Sequence, residues 1–139
     1  MFHKEATVEA INAMGKNTLT EHIGIEITEV GNDYLVGKMP VDHRTHQPMG
    51  LLHGGASVVL AETLGSIAAT LTLDLSKQYA VGLEINANHI KGVREGFVYG
   101  KASPIHVGKK TQVWEIRMTN QEGQITCISR ITMAVIDKK

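Results

Sequence analysis

The sequence is poor in the residues that usually mark a chain's chemistry at a glance: one cysteine, three prolines, and one Trp, three Tyr and two Phe among 139 residues. A single thiol, Cys127, excludes an intrachain disulfide and any CxxC metal site, and a reducing cytoplasm is the simplest expectation. Net charge is lacking too. Fourteen Lys and Arg balance fourteen Asp and Glu, so no overall field favours nucleic acid or an anionic membrane surface, and neither is expected as a partner. Residues 1–14 have no apolar core of the kind a signal peptide carries. No apolar run is read as approaching the roughly 20 residues that span a bilayer, because Gly65, Ser66 and several Ala and Thr interrupt the most apolar stretch. With no repeat, low-complexity tract or linker, residues 1–139 read as a single soluble domain, long enough for one well-buried core.

What is present is a sequence of short periodic segments around one longer one. Thr7 to Met14 predicts a short amphipathic helix with Thr7 as N-cap, Val8, Ile11 and Met14 on one side, and Gly15 just past its end. Ile23–Val30 and Tyr34–Met39 are β-rich and joined by Gly31-Asn32-Asp33, a hairpin composition, with Pro40 ending the second strand. A polar loop from Asp42 to His53 follows. Ala56 to Leu71 then runs without proline and with one charged side chain, apolar or small on nearly every face, which predicts a helix buried all round. Beyond it Val81, Leu83, Ile85 and Ala87 alternate with Gly82, Glu84, Asn86 and Asn88, the period of a strand with one buried face, with His89 in the same register. Phe97–Ser103, Thr111–Thr119 and Ile125–Val135 complete four strands after the helix, with a turn at Asn120-Gln121-Glu122-Gly123, and Cys127 reads as core rather than nucleophile. The simplest arrangement is α+β: one antiparallel sheet curled around the long helix.

The chemistry concentrates on that helix. Gly54 and Gly55 open it with bare backbone, so their N–H groups belong to the unsatisfied first turn at the positive end of the dipole, a ready oxyanion hole that a flat carbonyl can approach. A tight turn alone would also explain them. Glu62 is the single charge on an apolar helix, and carboxylates are rarely buried unless paired or functional. It either does chemistry or is a structural carboxylate satisfied by His53, Asn86 or Asn88. Ser66 shares its face, and Val58, Gly65 and Ala69 leave room for a small pocket. Eight residues separate Glu62 from Gly54, about 12 Å along the axis, whereas one reacting carbonyl needs both groups within roughly 3.5 Å. A functional Glu62 therefore predicts a two-fold dimer with antiparallel helices and shared sites. His43, His46 and His53 match no familiar ligand spacing and no Cys joins them, so no metal is expected.

The segments Ala13-Met14-Gly15, Met39-Pro40-Val41-Asp42, Arg44-Thr45, Gln47-Pro48, Gly50-Leu51-Leu52-His53-Gly54-Gly55-Ala56-Ser57-Val58-Val59-Leu60-Ala61-Glu62, Val81-Gly82-Leu83-Glu84-Ile85-Asn86-Ala87-Asn88-His89 and the stretch from Gln112-Val113-Trp114 to Ser129-Arg130 together carry a resemblance spanning nearly the whole chain. The sequence resembles the hotdog-fold acyl-CoA thioesterases, in the lineage of hydroxybenzoyl-CoA and 1,4-dihydroxy-2-naphthoyl-CoA thioesterases that places a Glu on the central helix. The resemblance implies that Glu62 is the nucleophile or the general base for water. It further implies that Gly54 offers its N–H to the thioester oxygen and that Gln47 polarises the carbonyl or orients water. His53 would support the loop and the departing thiolate, and Ser66 would position the attacking water. It places the nucleotide of CoA near the strand ends, with Gly82, His89, Arg94, His106 and Lys109 as contacts and Lys91 and Arg130 as further cations; the segment from Pro104 to Lys110 reads as a loop there. No cofactor is expected apart from the CoA of the substrate, and dimers pairing into homotetramers are usual for the family. Two other readings stand beside hydrolysis. Hotdog dehydratases or hydratases also use a His before the helix and an acid on it, but typically open the helix with proline-glycine where this chain has Gly54-Gly55. A non-catalytic acyl-CoA sensor would usually carry a fused DNA-binding segment, for which 139 residues are expected to leave no space.

Overall fold

The structure, a computed structural model, describes residues 1–3 and 5–139. Its elements run α1 (Val8–Met14), α2 (Leu19–His22), β1 (Glu26–Val30), β2 (Leu35–Pro40), α3 (Gly54–Leu71), β3 (Gln78–His89), β4 (Phe97–Val107), β5 (Thr111–Thr119) and β6 (Ile125–Asp137). The strands form one antiparallel sheet in the order β1-β2-β4-β5-β6-β3. Helix α3 packs against β2 through β6. This is the antiparallel sheet packed on a long helix that the periodicity predicts, but the helix is not buried all round: the sheet covers one side and the face bearing Gly55 and Glu62 is exposed.

Close approach between helix and sheet is what the small residues allow. A side-chain carbon on Gly65 would lie 2.5 Å from Ile131 Cγ2, and one on Gly100 would lie 2.7 Å from Leu64 Cδ1. Leu60 and Leu64 of α3 meet Trp114, Ile116 and Met118 of β5 and Ile131 of β6 in a core with no solvent access. The one buried indole finds a polar partner, as such rings must: Trp114 Nε1 donates to Gln112 Oε1 at 2.8 Å, and Gln112 Nε2 donates to Thr72 Oγ1 at 2.9 Å. That pair ties the start of β5 to the C-terminal end of α3. Cys127 is buried in the same core, and burial pushes its thiol pKa up, which removes it from consideration as a nucleophile.

The two sheet edges are finished differently. At β1, Asn12 of α1 donates from Nδ2 to Ile27 O at 2.9 Å and accepts from Ile27 N at 2.8 Å, taking the place of a neighbouring strand. At the other edge β3 runs for 12 residues with no partner strand beyond it among the described residues. An open edge of that length is a template for pairing.

Several expectations need correcting. Thr7 caps α1 as predicted, its hydroxyl accepting from Ala10 N at 3.1 Å; Ile11 is buried, but Met14 is 77% exposed because the last turn of α1 overhangs the core. Residues 19–22 form the short helix α2, so β1 begins at Glu26 rather than at Ile23. The register of β3 slips between Gly82 and Glu84. Such a bulge shifts the alternation by one residue. Val81 and Leu83, expected on the buried face, are therefore 43% and 61% exposed, while Ala80, Ile85 and Ala87 pack against the core. β4 continues to Val107, so much of the predicted Pro104–Lys110 loop is strand. Pro104 lies past the end of the β2 ladder at the Leu35–Ala102 pair and beside a register shift in the β5 ladder, where a strand tolerates a residue with no N–H. Finally, α3 is 18 residues long with mean hydropathy 1.3, enough by length and composition to cross a membrane despite its glycine and serine, whereas here the sheet wraps it as the core helix.

Candidate active site

The loop before α3 is pinned at both ends. Arg44 grips the Asp42 carboxylate through Nε at 3.1 Å and Nη2 at 2.7 Å, holding that carboxyl at about 2. Buried Thr45 donates its hydroxyl to Pro40 O at 2.8 Å, and its own carbonyl accepts from His53 N at 2.8 Å. Leu52 N donates to Val93 O at 2.8 Å, and His46 Nε2 lies 2.8 Å from Arg94 O, fastening the loop to the segment that enters β4. Within this frame Gln47 sits at a turn closed by Gly50 N to Gln47 O at 2.9 Å, and its side-chain Oε1 accepts from Met49 N. With the oxygen so committed, the Gln47 amide nitrogen, which has no partner among the described residues, remains available as a donor.

His53 is the N-cap of α3. Its Nδ1 accepts from Gly55 N at 2.8 Å, while its carbonyl accepts from Ala56 N at 3.0 Å and Ser57 N at 3.3 Å. The capping bond places the ring proton on Nε2. Among the described residues the N–H of Gly54 takes no partner, which leaves one open donor at the positive end of the helix dipole. Beside it stands His89 from the end of β3: a side-chain carbon on Gly54 would lie 2.9 Å from His89 Nε2. A side chain at position 54 would have to displace this imidazole.

Glu62 is not buried in the chain. The face of α3 that bears Gly55 and Glu62 is exposed, flanked by half-buried Val58, Val59, Thr63, Ser66 and Ile67, because the sheet covers only the other side of the helix. Its carboxylate rests at the open sheet edge, where a side-chain carbon on Gly82 would lie 3.3 Å from Glu62 Oε2. Among the described residues it has neither a hydrogen bond nor an ion pair; Asn86 turns its amide toward Glu84 instead. The structural reading of this carboxylate therefore has no partner to support it. Ser66, one turn on, has its hydroxyl 4.0 Å from Met133 Sδ and lines a cavity of about 690 Å³ between α3, α1, α2 and β1.

A second cavity, about 290 Å³, opens beneath the first turn of α3 and is lined by Gly54, Ser57, His89, Lys91 and Thr126. Ser57 and Thr126 were not marked by any sequence signal. Thr126 precedes Cys127 in β6 and both are buried, a break in alternation that single-strand periodicity cannot report. The predicted nucleotide contacts do not gather in one chain. Gly82 faces Glu62, His89 faces Gly54, and Arg94 precedes β4, whereas His106 lies near the far end of β4 and Lys109 in the β4–β5 turn just past it. At about 3.3 Å per residue β4 holds Arg94 more than roughly 30 Å from His106 and Lys109, whereas Gly82 stands level with Val107 three strands away across the sheet. Among the described residues no cluster of three His, Cys, Asp or Glu side chains has the arrangement of a metal site.

Residues 49–127 match the model of the thioesterase superfamily. The chain belongs to that family. The thioesterase is 47% identical over 136 residues to the 1,4-dihydroxy-2-naphthoyl-CoA hydrolase of Escherichia coli, covering 98% of this chain and 99% of the relative. It is 49% identical over 136 residues to the proofreading thioesterase EntH of Cronobacter turicensis, covering 98% of each. A mutant thioesterase from Pseudomonas aeruginosa, solved by crystallography, superposes with a TM-score of 0.97 at 48% identity over 99% of both chains. The fold is the hotdog fold, and the thioesterase is an enzyme that hydrolyses thioesters.

Proposed function

We propose that this thioesterase hydrolyses an acyl-CoA with an aromatic or medium-sized acyl group, at two equivalent sites each shared between two copies of the chain. The observation that carries the reading is the unpartnered Glu62 carboxylate, exposed on the open face of α3 beside the unpaired edge strand β3. Gly54 lies about 12 Å away on the same helix, too far for one carbonyl. Pairing two chains across β3 with their α3 helices antiparallel sets Glu62 of one near Gly54 of the other. The outward Val81 and Leu83 would be covered by the same pairing.

In that site the Gly54 N–H and the Gln47 amide donate to the thioester oxygen as it gains charge. Glu62 attacks the carbonyl carbon or takes a proton from water that does so, and Ser66 orients that water. His53 serves through its cap: by fixing Gly55 and the loop it fixes the aim of the Gly54 donor. The antiparallel pairing also answers the scattered cations. The Gln112–Thr72 bond holds the β4–β5 hairpin at the C-terminal end of α3, so His106 and Lys109 of one copy approach Gly82, His89 and Arg94 of the other, where one nucleotide can meet both. Pairs of dimers would form the tetramer, which the mass in solution reports. The aromatic preference rests on similarity to the naphthoyl-CoA hydrolase.

The test is release of free thiol from benzoyl-CoA and a panel of other acyl-CoA and acyl-carrier-protein thioesters. Glu62→Ala is expected to abolish turnover on every substrate while gel filtration shows the assembly unchanged. Turnover near that of the native chain would refute the assignment.

A further inference from the structure

The cavity of about 690 Å³ lined by Ser66 begins one turn beyond Glu62 and runs away from Gly54. Thr63, Ser66, Ile67 and Thr70 form its inner wall. At spacings of three and four residues they make one stripe of α3, with Glu62 at the head of it. The stripe ends at Leu71, about 13 Å from Glu62 along the axis. The outer wall is α1, α2 and β1, and Ile11, Met14, Ile25 and Ile27 give it an apolar surface. Helix α1 rests lightly on the body of the protein. Among the described residues, the hydrogen bonds that tie it to another element are the two between Asn12 and Ile27, and Ile11 is its one buried side chain. Met14, in the last turn, is 77% exposed and yet lines the cavity, so this apolar side chain overhangs the space between the helices.

We propose that α1 and α2 are the outer wall of a channel for an unbranched aliphatic acyl chain, and that Asn12 is the positioning residue that sets which chain lengths the enzyme prefers. The proposal rests on the reading of Glu62 as the group that acts on the thioester carbonyl. With the carbonyl at Glu62, the acyl group continues along the stripe of α3 past Ser66 and comes to lie between Ile67 on one side and Ile25 and Met14 on the other. An extended chain advances roughly 1.3 Å per carbon, so the length from Glu62 to Leu71 holds about ten carbons. A single aromatic ring would fill only the mouth. Each methylene drawn into the channel leaves water for apolar contact, and that gain depends on the outer wall standing close to α3. The Asn12 side chain keeps it there. Without its two bonds α1 is held by Ile11 alone, and the contacts that Ile11 and Met14 offer the chain are lost as the wall moves out.

The test is kcat and KM on straight-chain acyl-CoA esters from butanoyl to tetradecanoyl, with benzoyl-CoA beside them. For the unsubstituted enzyme kcat/KM is expected to rise by up to about threefold per methylene, chiefly through KM as remote binding does, to a maximum near decanoyl and to fall beyond it. Thr70→Trp fills the far half of the channel. It is expected to move the maximum to hexanoyl and to lower kcat/KM on decanoyl-CoA about 10²-fold more than on benzoyl-CoA, the worth of four methylenes. Asn12→Ala is expected to shrink the decanoyl-to-butanoyl ratio by about tenfold, and Asn12→Asp, which keeps the acceptor for Ile27 N, to restore part of it. A loss of folded enzyme lowers every ester alike, so an Asn12→Ala variant with an unchanged ratio would overturn the role of Asn12. A profile that declines from butanoyl onward, or a Thr70→Trp variant that treats decanoyl-CoA and benzoyl-CoA equally, would overturn the channel. Glu62→Ala assayed in parallel loses every ester if the shared-site reading holds, so a failure of that reading is seen separately.

Discussion

Mixing two inactive variants tests the shared site most directly. Glu62 and Gly54 are held on one rigid helix about 12 Å apart by its rise, and reaction requires approach to roughly 3.5 Å. No side-chain rotation closes that gap, since a glutamate reaches only a few ångströms from its backbone. Gln47 lies on the loop immediately before the helix and belongs with Gly54. In a dimer of Glu62→Ala with Gln47→Ala, one site therefore receives the intact Gln47 and the intact Glu62, and the other receives both substitutions. When the chains are unfolded together in equal amounts and refolded, half of the dimers are mixed and each carries one complete site of two, so activity recovers to about 25% of the unsubstituted enzyme under two-fold symmetry. The parents set a low background: Gln47→Ala is expected to lose about 10²-fold as an oxyanion donor, and Glu62→Ala more. Thiol release from benzoyl-CoA reads the outcome, with the unsubstituted chain taken through the same refolding as the reference. Recovery no greater than the sum of the parents would refute the shared site and require Glu62 and Gln47 to act within one chain.

Two further outcomes probe the frame that holds the site. Gly65→Ala places a methyl 2.5 Å from Ile131 Cγ2 in the closed interface between α3 and β6, so it is expected to destabilise the fold by about 1–3 kcal/mol through overpacking, read as a lower urea midpoint. The Asp42 carboxyl is held at about 2 by Arg44, below its ordinary 3.8. A group depressed in the folded state contributes stability above its unfolded value and loses it as pH falls toward the folded one. Asp42→Asn should therefore flatten the fall in urea midpoint between about pH 4 and pH 2; an unchanged slope would show that the Arg44 pair does not govern that range.

Much of this molecule is written locally. Thr7 before Val8 caps α1, Gly31-Asn32-Asp33 turns β1 into β2, and the alternation of Trp114, Ile116 and Met118 places β5 against the core, because caps, turns and pleats depend on residues a few positions apart. The unusual glutamate and the paired glycines were equally legible, since their oddity is defined by immediate neighbours. What lay outside local reach was decided by partners distant in the chain. Gly82 and Glu84 shift phase against β6 because the pairing slips there, and that slip turns Val81 and Leu83 away from the core to the solvent face. Glu62 is exposed because, among the described residues, no element crosses its face of α3, a matter of where the sheet stops rather than of the composition of the helix. His89 reaches Gly54 because β3 runs alongside α3 for its full length and ends at the first turn. The sequence alone determined which groups have the chemistry. The tertiary structure decided which of them meet, since a sheet edge, a bulge and a helix mouth arise from contacts between residues tens of positions apart.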